Sequence, residues 1–199
     1  MPDSEALDPS SVNSELVSCR FAAEDDAEAI AALHAHSWQR HYRGAYLDSY
    51  LDGDVIADRI EVWRQRLNEP VEQRITIVAD QKGALVGFAH LVFDQDPTWG
   101  SLLDNLHVLV DQKRQGIGTL LLSVVAAELL RSRPSGSLYL WVLDQNEPAQ
   151  LFYDARGGVR VGSELRGPFP GGGRAMSHRY AWSNPSLLIP VGGARVPIS

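Results

Sequence analysis

The sequence predicts a mixed α/β (α+β) domain, with strands at its centre and helices before and after them. An apolar segment, 102–109, runs into the glycine turn QKRQGIG and then into a long apolar segment that ends near residue 133. Two earlier segments carry apolar residues at helical spacing, and two later segments alternate as an antiparallel pair would. This order of elements indicates one sheet covered by helices.

The first half of the chain predicts a strand, two helices and a hairpin. A short edge or near-edge strand is expected over 15–21, followed by a helix over 25–42 whose acidic start suits a helix N-terminus. A second helix is expected over 52–68. Residues 73–80 and 84–93 predict two strands joined by the turn QKG.

The second half predicts strands that alternate with helices before a final strand pair. In order, the expected elements are a strand over 102–109, a helix over 116–133, a strand over 138–143, a short helix over 147–156, and strands over 159–165 and 175–182. The loop RGPFPGGGR joins the last two.

The length of 199 residues suits one domain with a sizeable core. Residues 1–14 are polar and acidic and are expected to form a disordered lead-in. We expect the domain to span 15–182, with residues 183–199 as a C-terminal tail.

Charge and cysteine content narrow the classes of partner and compartment. A formal net charge of -7 argues against a nucleic-acid partner bound by bulk electrostatics and mildly favours a cationic one. No apolar run is long enough to span a membrane, and the N-terminus does not have the pattern of a signal peptide. Cys19 is the only cysteine and is expected in the core, which fits a reducing, cytoplasmic location.

The glycine turn is a candidate anion site. It would place backbone N–H groups without helical partners at the start of a helix, where the helix dipole adds positive charge. Gly116 and Gly118 would let the backbone approach a phosphate closely. The turn is not a P-loop, because no Lys-Ser or Lys-Thr follows the last glycine.

A second motif, in LYLWVLDQNEPAQLFYDARGG, makes the interpretation more specific. Together the two motifs resemble the GNAT superfamily of N-acetyltransferases. The first resembles its acetyl-CoA signature, (Gln or Arg)-x-x-Gly-x-(Gly or Ala), with Lys113 in the first position as a departure that keeps a positive donor. The second resembles its Asn-x-x-Ala-x-x-Phe-Tyr-x-x-x-Gly block, here Asn146, Ala149, Phe152, Tyr153 and Gly157.

The resemblance implies a twisted mixed, mostly antiparallel sheet of six or seven strands flanked by about four helices. It implies that the strands before the glycine turn and before Asn146 are parallel and splay apart, and that acetyl-CoA enters the splay as co-substrate. The cofactor-binding residues it implies are Leu106, His107, Val108, Lys113, Arg114, Gln115, Gly116, Ile117, Gly118, Thr119, Asn146, Ala149, Phe152 and Tyr153.

The implied reaction is direct acetyl transfer from acetyl-CoA to a primary amine, of a small molecule or a protein, in a ternary complex. Tyr153 stands where the resemblance places the general acid, and its phenol could protonate the leaving thiolate. His107, Asp104 or water could act as the base. Because alternate residues of a strand point to opposite faces, Asp104 and His107 share a face only if a bulge intervenes.

The acceptor pocket is expected in the segment HAHSWQRHYRGAY and the GPFPGGG loop. The candidate residues are His34, His36, Trp38, His41, Tyr42 and Tyr46, which could equally be ordinary helix residues. The histidine spacing matches no metal-site pattern, so no metal is expected. An aromatic lining would suit a cationic or aromatic amine.

Two other functions remain open on the sequence. One is a non-catalytic acyl-CoA-binding module, which would keep the glycine turn and lose the acid. The other is acetyl transfer to an alcohol. The acceptor, the acyl chain and the oligomeric state stay open, a homodimer being one option.

Overall fold

The computed structural model describes residues 17–68 and 72–190, which form seven strands and five α-helices. The strands are β1 (Ser18–Phe21), β2 (Arg74–Gln81), β3 (Ala84–Asp96), β4 (Gly100–Val108), β5 (Leu138–Leu143), β6 (Val159–Arg166) and β7 (Ala175–Trp182). The helices are α1 (Ala27–His41), α2 (Asp48–Leu51), α3 (Val55–Leu67), α4 (Ile117–Ser132) and α5 (Glu147–Asp154).

All strands belong to one sheet with the order β1-β2-β3-β4-β5-β7-β6. Every neighbouring pair is antiparallel except β4 and β5, which are parallel. The predicted fold class is confirmed, including the antiparallel pairing of the last two strands. The sequence did not predict α2, a single helical turn between α1 and α3.

The β2–β3 hairpin shows how local sequence sets the register. Lys82 and Gly83 both have positive φ, at 56° and 79°. This is the backbone of a type I′ turn, whose twist matches that of the flanking strands. The predicted QKG turn is confirmed.

Helix α4 and helix α5 cover one face of the sheet. The fully buried side chains of Leu121, Leu122 and Leu129 pack on strand residues that include Ile77 and Leu91. Burial of a leucine side chain stabilises the fold by about 1.5–3 kcal/mol. This main cluster therefore ties β2 and β3 to the helix that follows the glycine turn.

Helices α1 and α3 cover the opposite face. Trp63 of α3 and Phe88 of β3 are fully buried there against Ile30 of α1. The Trp63 indole donates to Nδ1 of His34 at 3.0 Å. The two helices are thereby fixed on β3 and beside β4.

Some predicted segments lie partly or wholly outside the described residues. These include 1–14 and the last nine residues of the expected tail. Earlier in that tail, Pro185–Leu188 forms a 3-10 turn, and Leu188 is buried in the main cluster. None of the helices in 17–68 and 72–190 is long and apolar enough to cross a membrane.

Candidate active site

The glycine turn connects β4 to α4 and leaves the start of α4 open. Gly116 occupies the N-cap position with φ 84°, and no side chain caps this helix end. The first N–H groups of the helix therefore keep their hydrogen-bonding capacity, and the helix dipole makes this end electropositive. The arrangement fits a phosphate-binding helix N-terminus.

Gly118 and Gly116 have different roles in the turn. Gly116 requires glycine for its left-handed backbone, whereas Gly118 lies within α4 with ordinary helical φ. A Cβ at Gly118 would lie 3.5 Å from Cζ of Phe152. Gly118 thus marks where the start of α4 meets α5.

Arg156, which the sequence analysis missed, connects the two motifs. Its guanidinium donates to Oγ1 of Thr119 from Nε at 3.1 Å and from Nη2 at 2.7 Å. It also lies 5.3 Å from the ring centroid of Phe152. Its position one helical turn after Phe152 is a signal that could have identified it.

The parallel strands β4 and β5 diverge soon after they meet. In the part of the chain that the structure describes, their ladder consists of Ser101 with Leu138 and Leu102 with Tyr139. On its other side, β5 pairs with β7 along its full length, Leu138–Leu143. The splay implied by the resemblance is present.

The splay exposes backbone donors on β4. The N–H of Leu109 donates to the Val86 carbonyl at 2.9 Å, which sets the antiparallel bonding pattern with β3. Because this pattern alternates, the N–H groups of Leu106 and Val108 point away from β3, towards the gap. They are positioned to bind an extended ligand or a carbonyl oxygen.

Lys113 and Gln115 lie on the outside of the turn. Nζ of Lys113 is 3.1 Å from Nε2 of His41, and burial, followed by the charge of Arg40, lowers the lysine pKa. The Gln115 amide donates to the Asp111 carbonyl at 3.3 Å. Lys113 therefore brings the end of α1 next to the anion site.

Tyr153 is buried where α5 meets the sheet. Its exposed fraction is 8%, and the rings of Phe152, Tyr180 and Trp182 lie 5.3, 5.9 and 6.0 Å away. Burial, with a smaller effect of Tyr42, raises the pKa of the Tyr153 phenol well above its usual value. The hydroxyl therefore keeps its proton at neutral pH and is a donor.

The start of α5 leaves a polar side chain available. Asn146 occupies the N-cap position, but its side chain makes no capping hydrogen bond. Its amide is therefore not used as the cap that asparagine often provides. Ala149 packs against the main cluster beside Phe152.

Asp104 and His107 share a face because β4 has a bulge. Leu103 pairs with Leu91 and Asn105 with His90, which leaves Asp104 as the extra residue. Asp104 accepts from Nη1 of Arg66 at 2.8 Å. A bulge was the condition for Asp104 and His107 to point to the same face of the sheet, and the structure contains it.

His107 has an altered pKa. Its Nδ1 is 2.8 Å from Oγ of Ser37, and its ring lies 4.8 Å from that of His34. Burial, followed by the charge of His41, lowers the pKa of His107 to about 3. The ordinary histidine pKa that suggested His107 as a base is therefore lost in the fold.

Aromatic side chains of α1, of α2 and of the loops after α1 and β6 pack into one cluster. We call Trp38, Tyr42, Tyr46, Tyr50 and Phe169 the aromatic cluster; Tyr46 stacks on Phe169 at 4.9 Å. Phe169 comes from the β6–β7 loop, in which a Cβ at Gly173 would overlap the Ala45 carbonyl oxygen. The GPFPGGG loop thus packs closely on the chain after α1.

The predicted pocket histidines separate in the structure. His34 is 1% exposed and is held by Trp63, so it belongs to the core rather than to a pocket. Its burial lowers its pKa well below the usual value. His36 is exposed, and His41 lies beside Lys113. The aromatic residues therefore stay together in one cluster, whereas the histidines do not.

Comparison with known proteins identifies the family. The relative YuaI of Bacillus subtilis (strain 168), named an uncharacterized N-acetyltransferase, is 28% identical over 151 residues, 75% of this chain and 84% of its own. The PaiA N-acetyltransferase of Thermoplasma acidophilum, solved with coenzyme A, has 20% identity and a TM-score of 0.59 over 83% of this chain and 99% of its own.

A third similar structure is yncA of Salmonella typhimurium, solved with its cofactor acetyl-CoA. It has 17% identity and a TM-score of 0.62 over 84% of this chain and 93% of its own. At this identity the two structures support the fold alone. The model of the acetyltransferase (GNAT) family matches residues 35–157, more than half of the chain. The chain therefore belongs to the GNAT acetyltransferase family.

Proposed function

We propose that the protein transfers the acetyl group of acetyl-CoA to a primary amine. One observation carries the proposal: the uncapped start of α4, the gap between β4 and β5, and the buried phenol of Tyr153 adjoin one another. A phosphate-bearing thioester needs these three features in this order, from its phosphates to its sulfur. The aromatic cluster would hold the amine on the other side of the gap.

The donor is held along its length by different elements. Its pyrophosphate binds the N–H groups at Gly116 to Gly118, and Lys113 and Arg156 add positive charge nearby. Its extended arm lies in the splay and bonds to the backbone of β4, as an added strand would. Asn146 donates its unused amide to this arm.

The acetyl group passes directly from the thioester to the amine in the ternary complex. The amine nitrogen attacks the thioester carbon, and the N–H groups of Leu106 and Val108 stabilise the oxyanion that forms. As the carbon–sulfur bond breaks, Tyr153 gives its proton to the thiolate, and the nitrogen, now bonded to the acetyl carbon, loses a further proton to water to give the neutral amide. The Tyr153 phenolate then regains a proton from solvent. The acceptor ammonium first loses a proton to water, with the carboxylate of Asp104 facing the same groove.

A panel of amines and peptides tests this function. Free thiol release from acetyl-CoA should accelerate on addition of at least one amine, and the product should carry an amide. Acceleration by alcohols alone would instead indicate O-acetylation. Tight acetyl-CoA binding with no transfer to any acceptor would favour a binding module.

The anion site predicts a strong effect of size at Gly118. Gly118→Val should weaken acetyl-CoA binding at least about tenfold, or ~1.4 kcal/mol, because its γ-carbons have no room between Phe152 and the ligand. Gly118→Ala is the matched control, since its Cβ would make only an ordinary contact. Titration calorimetry measures the affinity. If the valine variant and the parent bind acetyl-CoA equally well, the glycine turn is not the phosphate-binding site.

The lowered pKa of His107 predicts its pH behaviour. A histidine with a pKa near 3 stays neutral across the neutral range, so it should add no inflection to kcat/KM between about pH 5.5 and 8. His107→Gln should change kcat/KM by the same factor at every pH, so that the shape of the pH profile is unchanged. Ser37→Ala should do the same. An inflection near the ordinary histidine value of about 6.5 that disappears in His107→Gln would restore His107 as the base.

Three predictions concern the molecule's setting rather than its chemistry. The cytoplasmic location, the homodimer and the domain limits at 15 and 182 stay predictions. Size-exclusion chromatography with light scattering would decide the oligomeric state.

A further inference from the structure

Arg179 of β7 lies in a stack of aromatic rings on the sheet face opposite to α4. Its guanidinium carbon is 5.1 Å from the ring centroid of Trp99 and 4.4 Å from that of Trp141, its partner across the β5–β7 ladder. The guanidinium of Arg166 is 4.5 Å from the same Trp141 ring. Two arginines thus share one tryptophan.

Arg179 differs from Arg166 and Arg66 in how the charge of its guanidinium is balanced. Arg166 pairs with Glu164 at 3.5 Å, and Arg66 pairs with Asp104 at 2.8 Å. Among residues 17–68 and 72–190, Arg179 has no ion pair, and its buried Nε has no hydrogen-bond partner. A buried donor without a partner is unfavourable, so this position favours a ligand that accepts hydrogen bonds and carries negative charge.

The nearest acid already has other partners. Asp96 is within electrostatic range of Arg179, but its carboxylate accepts from the backbone N–H groups of Thr98 at 2.8 Å and Trp99 at 2.9 Å. Arg179 therefore keeps a surplus positive charge. The stacked rings hold its planar fork in place, which reduces the entropy lost when it binds a carboxylate.

The arginine pair faces the same groove as the proposed transfer site. Asp104 pairs with Arg66 of α3 and therefore lies on the same face of the sheet as Trp141 and Arg179. Its negative charge is also among the groups that influence the pKa of Tyr42, Tyr46, Tyr139 and Arg166. Asp104 is thus within electrostatic range of both the aromatic cluster and Arg166. Tyr42 in turn acts on Tyr153.

The geometry of the strands gives the spacing between Arg179 and the proposed carbonyl site near Leu106. Leu102 pairs with Tyr139, so Trp141 and Arg179 are level with Asp104, and Leu106 lies two residues further along β4. At about 3.3 Å per residue, this offset is about 7 Å along the strands. The separation between the Arg179 backbone and the proposed carbonyl site also includes about 4.8 Å for each strand crossed, because β7 lies beyond β5 in the sheet. A small molecule with two functional groups could span this distance.

We infer that Arg179, assisted by Arg166, binds a carboxylate of the acceptor, so that the acceptor is an amine that carries a carboxylate several bonds away, such as an ω-amino acid. This inference rests on the proposed N-acetyltransferase function. The guanidinium fork donates two parallel hydrogen bonds to the carboxylate. The amine at the other end then reaches the thioester carbon.

Matched acceptors test the inference. Aminocaproate and hexylamine carry similar alkyl amines and differ in the carboxylate, and γ-aminobutyrate shortens the spacing. The parent protein should use aminocaproate with a kcat/KM at least about tenfold above that of hexylamine, or ~1.4 kcal/mol. Equal use of the two by the parent protein would overturn the inference.

Variants separate binding from structural support. Arg179→Gln should raise KM for aminocaproate at least about tenfold, the change that corresponds to ~1.4 kcal/mol, with KM for hexylamine unchanged. Arg179→Lys, which keeps the charge, should restore part of the preference. Arg160→Gln is the matched control, because Arg160 lies on the edge strand β6 and bonds Ser163 instead. Equal losses for both acceptors in Arg179→Gln would show a structural role and overturn the inference.

A binding measurement keeps this inference distinct from the proposed function. If no amine is acetylated, the proposed function fails, but calorimetry on the protein saturated with coenzyme A still decides the role of Arg179. Aminocaproate should bind more tightly than hexylamine, and Arg179→Gln should abolish the difference. No preference for the carboxylate in this assay would overturn the inference.

Discussion

Tyr153→Phe is expected to lower kcat by about 10²–10⁴-fold, the usual contribution of a general acid. The substitution keeps the ring that packs with Phe152, Tyr180 and Trp182 and deletes only the hydroxyl. Acetyl-CoA affinity should change by less than about 1.5 kcal/mol, since one ordinary hydrogen bond at most is lost. Turnover and calorimetric titration on the same folded variant check both expectations.

Tyr180→Phe is the matched control for this experiment. Tyr180 is 2% exposed, belongs to the same cluster and lies 5.9 Å from the Tyr153 ring, so the variant deletes a phenol hydroxyl from the same cluster, in this case one that bonds Asp154. Its turnover should stay close to that of the parent. If Tyr153→Phe also stays within about threefold, well short of a general-acid effect, Tyr153 is a packing residue and the thiolate leaves without it.

Trp63→Ala is expected to reduce the free energy of unfolding by about 3–5 kcal/mol, the range for truncating a buried large aromatic side chain. Trp63 is fully buried against Phe88, and its loss would also leave His34 without its indole donor. Denaturant unfolding followed by circular dichroism measures the change. Leu187→Ala, at a position 77% exposed, is the control and should have little effect.

This stability prediction has a consequence for the site. The guanidinium of Arg66 lies 5.1 Å from the Trp63 ring and bonds both Asp104 and Asn105 of the β4 bulge. Trp63 therefore supports the strand that supplies the proposed oxyanion donors. A loss below about 1 kcal/mol in Trp63→Ala would show that the site relaxes around the cavity.

The sequence predicted the elements around the two motifs well because their signals are local. The bounds of β5, Leu138–Leu143, match the prediction, and α4 begins one residue after the predicted start at Gly116. Apolar runs bounded by Gly, Pro and Asn define such elements strongly. Helix α2 was missed because four residues cannot establish a helical period.

Side-chain environments in the site were harder to predict because distant residues set them. His107 contacts Ser37, and Asp104 pairs with Arg66, neither of which is near in sequence. The bulge at Asp104 depends on how β4 pairs with β3, and periodicity along one strand does not show this. Arg179 looked like an ordinary strand residue until the fold placed it among tryptophans.

The short ladder between β4 and β5 affects the whole sheet. Strands β1–β4 and β5–β7 form two half-sheets that share two residue pairs across the described ladder. A ligand arm in the splay would complete the hydrogen bonding between the two half-sheets. Binding of the ligand and the stability of the whole sheet are therefore thermodynamically linked. Because the ligand binds only the folded state, the melting temperature should rise with acetyl-CoA concentration. The bound donor would hold the two half-sheets together reversibly.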